Sequence, residues 1–212
     1  MLSWFKRFLS PAPHKDDASG TDDPSPSDGQ DLPVSFGYKT TWIAVRSEDP
    51  GSVARALGLK NVKAASWANG VERADRQQGV FVSPPVDGWV LALGKLPDAD
   101  GEAFETFLAD LSARLGQVFF FATHRVVEYH AWAIADAGRI TRAFSFIGDQ
   151  GEFPVNTGEP LPEESELGIG EADLEAAPDE DHVLSIAAAW TIDPLNLEQH
   201  ENAVGPGLFG IR

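Results

Sequence analysis

Two runs in this chain, Trp89-Val-Leu-Ala-Leu93 and Val118-Phe-Phe-Phe121, are apolar without alternation. A strand with one wet face alternates apolar and polar side chains. Trp89–Leu93 therefore reads as a buried strand, and Val118–Phe121 as a central strand covered on both faces. This restricts the fold to one that places cover above and below a sheet, and the rest of the sequence offers that cover as helices. Glu102–Leu115 carries Phe104, Phe107, Leu108, Leu111 and Leu115 at the helical period, and Gly116 closes it. Asp49-Pro50 starts a shorter helix through Val53, Ala54 and Leu57, which Gly58 stops. Asp179-Glu-Asp181 precedes the alanine-rich Val183–Trp190, where acids in a first turn suit the helix dipole; a strand over Leu184–Ile192 is the alternative.

Further strands are expected at Lys39–Arg46, at Gly79–Ser83 paired with Trp89–Leu93, and at Tyr129–Ala135 paired with Arg139–Ile147 across Ala137-Gly138. Residues 60–78 fit neither pattern cleanly, with Trp67 as their anchor. Asp193-Pro194 reads as the start of a last short helix to about Glu201. The resulting expectation is one α+β domain over 34–212. It has a mixed or mainly antiparallel sheet of about five to six strands with helices packed on it. Composition agrees, because 42% apolar residues with thirteen Phe and six Trp supply a sizeable core. Core packing is the default reading of Trp42, Trp67, Trp89, Trp132 and Trp190.

Residues 1–33 are different. From Ser10 to Pro33 they mix Pro, Ser, Gly and Asp with almost nothing to bury, and we expect a disordered leader and linker. Trp4, Phe5, Phe8 and Leu9 share one helical face beside Lys6 and Arg7. They offer a weak case for contact with a membrane surface. No run is long and apolar enough for a transmembrane helix. The chain has no Cys, which excludes disulfides, thiolate zinc sites and a Cys nucleophile, and fits a reducing compartment. The expected setting is a soluble protein in the cytoplasm.

Charge is unevenly placed. The net charge is −17, yet residues 34–142 carry twelve acids and twelve bases. Residues 143–212 carry fifteen acids and one base, Arg212; ten of those acids fall between Glu159 and Asp181 without a base. We read 159–181 as a surface excursion, loop or partly disordered. Its charge repels nucleic acid and anionic lipid and attracts a basic protein partner. Arg139 and Arg142, in the last strand of the neutral body, are placed to clamp an anion or this excursion, the excursion being the favoured reading.

Chemistry-bearing motifs are few. Gly205-Pro-Gly-Leu-Phe-Gly210 spells GxGxxG, but only Ile211 and Arg212 follow, so no helix is there to receive a pyrophosphate. No dinucleotide cofactor is implied. The richest polar cluster is Thr123-His-Arg-Val-Val-Glu-Tyr-His130. If extended, it puts His124, Glu128 and His130 on one face, with Arg125 opposite. Two imidazoles and a carboxylate suit acid/base work or a divalent metal, with Arg125 holding an anion. Against this stands the plainer reading that these side chains satisfy buried carbonyls or pair with the acidic third. Asp181-His182 could join them in space. Two functions follow. One is a non-catalytic binding module, immunity- or adaptor-like, that docks a basic partner. The other is an enzyme working through His124, Glu128 and His130. Binding is the favoured reading, with no cofactor and no metal expected.

Overall fold

A computed structural model describes residues 31–212; the expected leader and its Trp4, Phe5 and Phe8 face lie almost wholly outside the described residues. The described chain is tied in from its first residue. The Asp31 carboxylate accepts from the Trp67 backbone N–H at 3.0 Å, and its carbonyl accepts from Gly205.

In chain order the elements are β1 (Thr41–Arg46), α1 (Pro50–Ala56), β2 (Lys60–Ala65), α2 (Trp67–Asp75), β3 (Val80–Val82), β4 (Trp89–Gly94), α3 (Gly101–Leu115), β5 (Val118–His124), β6 (Tyr129–Asp136), β7 (Arg139–Ile147), β8 (Glu152–Thr157), α4 (Pro162–Glu166), α5 (Glu180–Trp190) and β9 (Gly207–Ile211). All strands join one sheet in the order β2-β9-β3-β4-β1-β5-β6-β7-β8, and every pairing is antiparallel.

The unbroken apolar runs are explained by two cores, one on each face. Trp42 and Ala44 of β1, Trp89, Leu91 and Leu93 of β4, and Phe119 and Phe121 of β5 point to the first face. There they meet Trp67 of α2 and Val183, Leu184, Ile186 and Ala187 of α5. Their neighbours Ile43, Val45, Val90, Ala92, Val118 and Phe120 point to the second face. There they meet Val53 and Leu57 of α1 and Phe104, Leu108 and Leu111 of α3. Antiparallel strands normally leave one face wet; here both are dry, so period-2 alternation is lost in the middle strands. Trp42, Trp67, Trp89 and Trp132 are all buried in the core, and Trp190 is half-buried.

The α+β expectation holds, with one correction. Among the described residues the sheet has nine strands rather than five to six; of the two arrangements expected, mixed or mainly antiparallel, it is the antiparallel one that forms. Three strands carried no usable sequence signal. The β2 sequence Lys-Asn-Val-Lys-Ala-Ala is exposed at five of six positions. In β8, Pro154 sits mid-strand, where it is tolerated because β8 is an edge. The third, β9, lies inside the GxGxxG string. Its glycines serve packing: a Cβ at Gly207 would overlap the Val82 carbonyl and the Phe81 ring. The helix reading of Val183–Trp190 holds over its strand alternative. One local reading changes: Asp193 to Glu201 contains a 3-10 turn at Leu197–Gln199 in place of the expected short helix.

Candidate functional site

The His/Glu cluster spans a reversal of the chain, not a straight strand. β5 ends at His124, residues 125–128 turn, and β6 begins at Tyr129. Glu128 sits in that turn at φ 50°. The register pairs Thr123 with His130 and His124 with Tyr129. His124 therefore shares the α3 face with Ala122 and Tyr129, whereas His130 shares the α5 face with Trp132. The expected one-face arrangement of His124, Glu128 and His130 is not what forms. The turn was hidden because Arg-Val-Val-Glu contains no Gly, Pro, Asn or Asp.

Each histidine has a local partner. His124 Nε2 lies 3.1 Å from Thr41 Oγ1, and its ring stacks on Tyr129 with centroids 6.0 Å apart. Burial lowers its pKa, with Asp98 opposing. The Tyr129 hydroxyl accepts from the Ala99 N–H at 2.5 Å, and burial holds its pKa well above the ordinary phenol value. On the other face His130 is only 4% exposed, and its Nδ1 lies 3.1 Å from Thr123 Oγ1. Burial pushes His130 down to about 4; Asp179 opposes this, and His182 and His124 add to it.

His182 does come close to His130, as part of the α5 N-terminus. The Asp179 carboxylate caps α5 by accepting from the His182 N–H at 3.0 Å. His182 Nδ1 lies 2.7 Å from Asp179 Oδ1 and 3.2 Å from the Asp179 backbone N. One nitrogen cannot donate to the first and accept from the second at once. The shorter contact favours a proton on Nδ1 donated to the carboxylate. Burial alone would raise the Asp179 carboxyl, but the His182 N–H, its imidazole and the Asp181 N–H together hold it below its usual value. Arg125 points to this helix end and pairs with Glu180 at 3.7 Å. The other oxygen of Glu180, Oε2, is buried without a hydrogen-bond partner among the described residues. Among the described residues, no three His, Asp or Glu side chains converge to hold a metal ion. The histidines, Arg125 and the carboxylates around them secure a hairpin and a helix end.

The acidic stretch 159–181 is held more firmly than its composition suggests. Arg142 and Glu164 form a fully buried ion pair, 1% and 0% exposed, at 2.7 Å. Arg142 Nε also donates to both Glu164 oxygens at 3.0 Å. The remaining guanidinium protons reach Asn156 Oδ1 and the carbonyls of Gly158 and Gly170. Glu164 accepts in turn from the Trp132 indole at 2.7 Å and from the Leu161 N–H at 2.8 Å. Such a pair is tolerated in the interior because its hydrogen-bonding capacity is filled. It ties α4 to β7 and β8, so the excursion carries α4 and a 3-10 turn at Leu174–Ala176 and is not an unstructured loop. The clamping role expected of Arg142 is met at Glu164. Arg139 is exposed and has no ion-pair partner among the described residues.

The rest of the stretch faces solvent. Glu159, Glu166, Glu171, Asp173, Glu175, Asp179 and Asp181 are exposed, and no Lys or Arg pairs with them among the described residues. Leu167 and Leu174 stand exposed among them, at 39% and 60%. The stretch lies over the β7–β8 turn and against α5: Leu174 packs at Gly151, and the Trp190 indole donates to Glu163 at 3.2 Å. No family model, no curated protein and no solved structure matches this chain.

Proposed function

We propose that this protein is a non-catalytic binding module, immunity- or adaptor-like, whose 159–181 surface docks a basic partner protein. The observation that carries the reading is the set of seven exposed carboxylates with no Lys or Arg partner among the described residues, on a segment stapled to the sheet by Arg142 and Glu164. A disordered acidic tail loses ordering entropy on binding; a fixed one presents its charge without that cost. Charge of one sign steers encounter with a cationic surface and suppresses anionic competitors. Leu167 and Leu174 supply apolar contact that charge alone lacks.

The test is affinity capture from native lysate at low and high salt, comparing the wild type with Glu171→Lys/Asp173→Lys/Glu175→Lys. The expected result is a partner with a basic surface, retained by the wild type at low salt and lost from the triple variant. Binding should fall steeply as the screening length shrinks from about 10 Å at 0.1 M to about 3 Å at 1 M salt. Partners that are not basic, or capture indifferent to salt and to the three substitutions, would remove the basis of the proposal.

A further inference from the structure

We propose a second docking surface at the opposite edge of the sheet: the free edge of β2 accepts an extended, acidic segment of a partner protein as an added strand. It lies far from the 159–181 surface and stands whether or not that surface docks a basic partner.

The first observation is an open edge. Among the described residues, β2 pairs only with β9 and has no strand on its other side. An edge strand presents a row of unpaired N–H and C=O groups, and main-chain pairing there is a general mode of peptide capture. Five of the six β2 residues are exposed. Asn61, at φ 52°, lies where the register shifts between Lys60 and Lys63, so the regular part of the edge runs from Lys63 to Ala65.

The second observation is charge. Acids outnumber bases 33 to 16 in this chain. Even so, Lys60, Lys63, Lys95 and Arg212 are exposed and have no carboxylate at ion-pair distance among the described residues. Lys60 and Lys63 lie on β2 itself, and Arg212 directly follows its neighbour β9. Lys60 stands opposite Ile211 in the β2–β9 register. Ile211, Arg212 and Lys95 line a groove of about 330 Å³ between the ends of β9, β3 and β4. Val62 and Ile211 are 40% and 51% exposed, which adds apolar contact to the cations.

Lysines on an edge strand commonly guard against self-pairing. They do so by repelling a second copy's lysines, and the same charges attract a strand that carries carboxylates. The net charge of −17 does not override this. α5, which bears the end of the acidic stretch, packs on β5 and β6, and β5 lies five strand positions from β2. At about 4.8 Å per strand that is about 24 Å, well beyond the screening length of about 8 Å at physiological salt. A segment arriving at β2 therefore meets the local cations.

The experiment uses the full chain at about 0.15 M salt. The probe is a blocked, Pro-free peptide alternating glutamate and valine, and its counterpart has two of the valines replaced by proline. Hydrogen exchange of the β2 amides and peptide affinity are measured. The expected results are slowed exchange over 63–65 with the first peptide only, and about tenfold or greater weakening in Lys60→Glu/Lys63→Glu. Both lysines are exposed, and circular dichroism checks that the variant is folded. Equal binding of the proline peptide, unchanged exchange at saturation, or unchanged affinity in the variant would overturn the proposal. So would capture of a single-stranded oligonucleotide in place of the peptide. Slow β2 exchange already present in the free monomer, or appearing only with concentration-dependent self-association, would also overturn it, since the edge would then be occupied by this chain or its copy.

Discussion

The two edges of this sheet solve opposite problems. At the β8 edge, Pro154 blunts the strand and the acidic stretch is bolted on by a buried ion pair, so what reaches solvent is side-chain charge. At the β2 edge the backbone is open among the described residues, and Lys60 and Lys63 have no carboxylate partner there. A chain with excess carboxylate could have neutralised those lysines and did not, because the acids are held on other elements. The lesson is that net charge describes neither end. The β8 side and α5 concentrate negative charge, the β2 side keeps a small positive one, and the sheet holds them apart.

The strongest way to break the comparison is at the staple. Glu164→Ala leaves the Arg142 guanidinium buried without its counter-charge. This should cost about 3–5 kcal/mol of stability, read from urea denaturation. Amides of 159–178 should exchange faster, while those of β2 keep the wild-type rate. Arg142→Met/Glu164→Leu should recover most of the lost stability, since an apolar pair removes the stranded charge. If Glu164→Ala costs under about 1 kcal/mol, the pair does not fix the acidic face.

A smaller effect is expected at the other end. Gly207→Ala places a methyl against the Val82 carbonyl and the fully buried Phe81 ring. An overlap of this kind costs about 1–3 kcal/mol. Exchange should rise in β9 and β2 and not at α4, which equilibrium unfolding combined with residue-resolved hydrogen exchange can establish. Wild-type stability in this variant would mean that β9 has slack the packing does not show.

A pH slope is expected between the two regions, where α5 meets β6. The His130 pKa lies at about 4, below its ordinary 6.5, so the unfolded chain takes up a proton before the folded one does. Its contribution to stability is complete above pH 6.5 and is lost as pH falls through that window toward 4. His124, lowered by burial, acts in the same direction from the other face. His130→Gln should flatten the fall in urea midpoint between pH 6.5 and 4. An unchanged slope would show that His130 is not the group being titrated.

Much of the element pattern was legible because it depends on short-range chemistry. The phenylalanine and leucine period of α3, the Asp-Pro start of α1 and the Ala-Gly turn before β7 each act within a few residues. The missing strands fail for the same reason: β2, β8 and β9 owe their state to a neighbour, and Lys-Asn-Val-Lys or Gly-Leu-Phe-Gly carries no strand period of its own. Read as one extended strand, the sequence places His124 and His130 on the same face. The turn at Val126-Val127 split them between two faces, and a one-element error of this kind reverses every side chain beyond it.

By itself, then, the sequence determined that a two-faced sheet would be covered by helices and that negative charge would crowd the last third, since unbroken apolar runs and carboxylate counts need no partner to be read. Only the tertiary structure decided that the acidic stretch is fixed, through Arg142 reaching Glu164 some twenty residues away, and that β2 is left as an open edge among the described residues. Both depend on which distant segments meet, and pairing between distant segments is set by the packing of the whole chain, not by any local pattern.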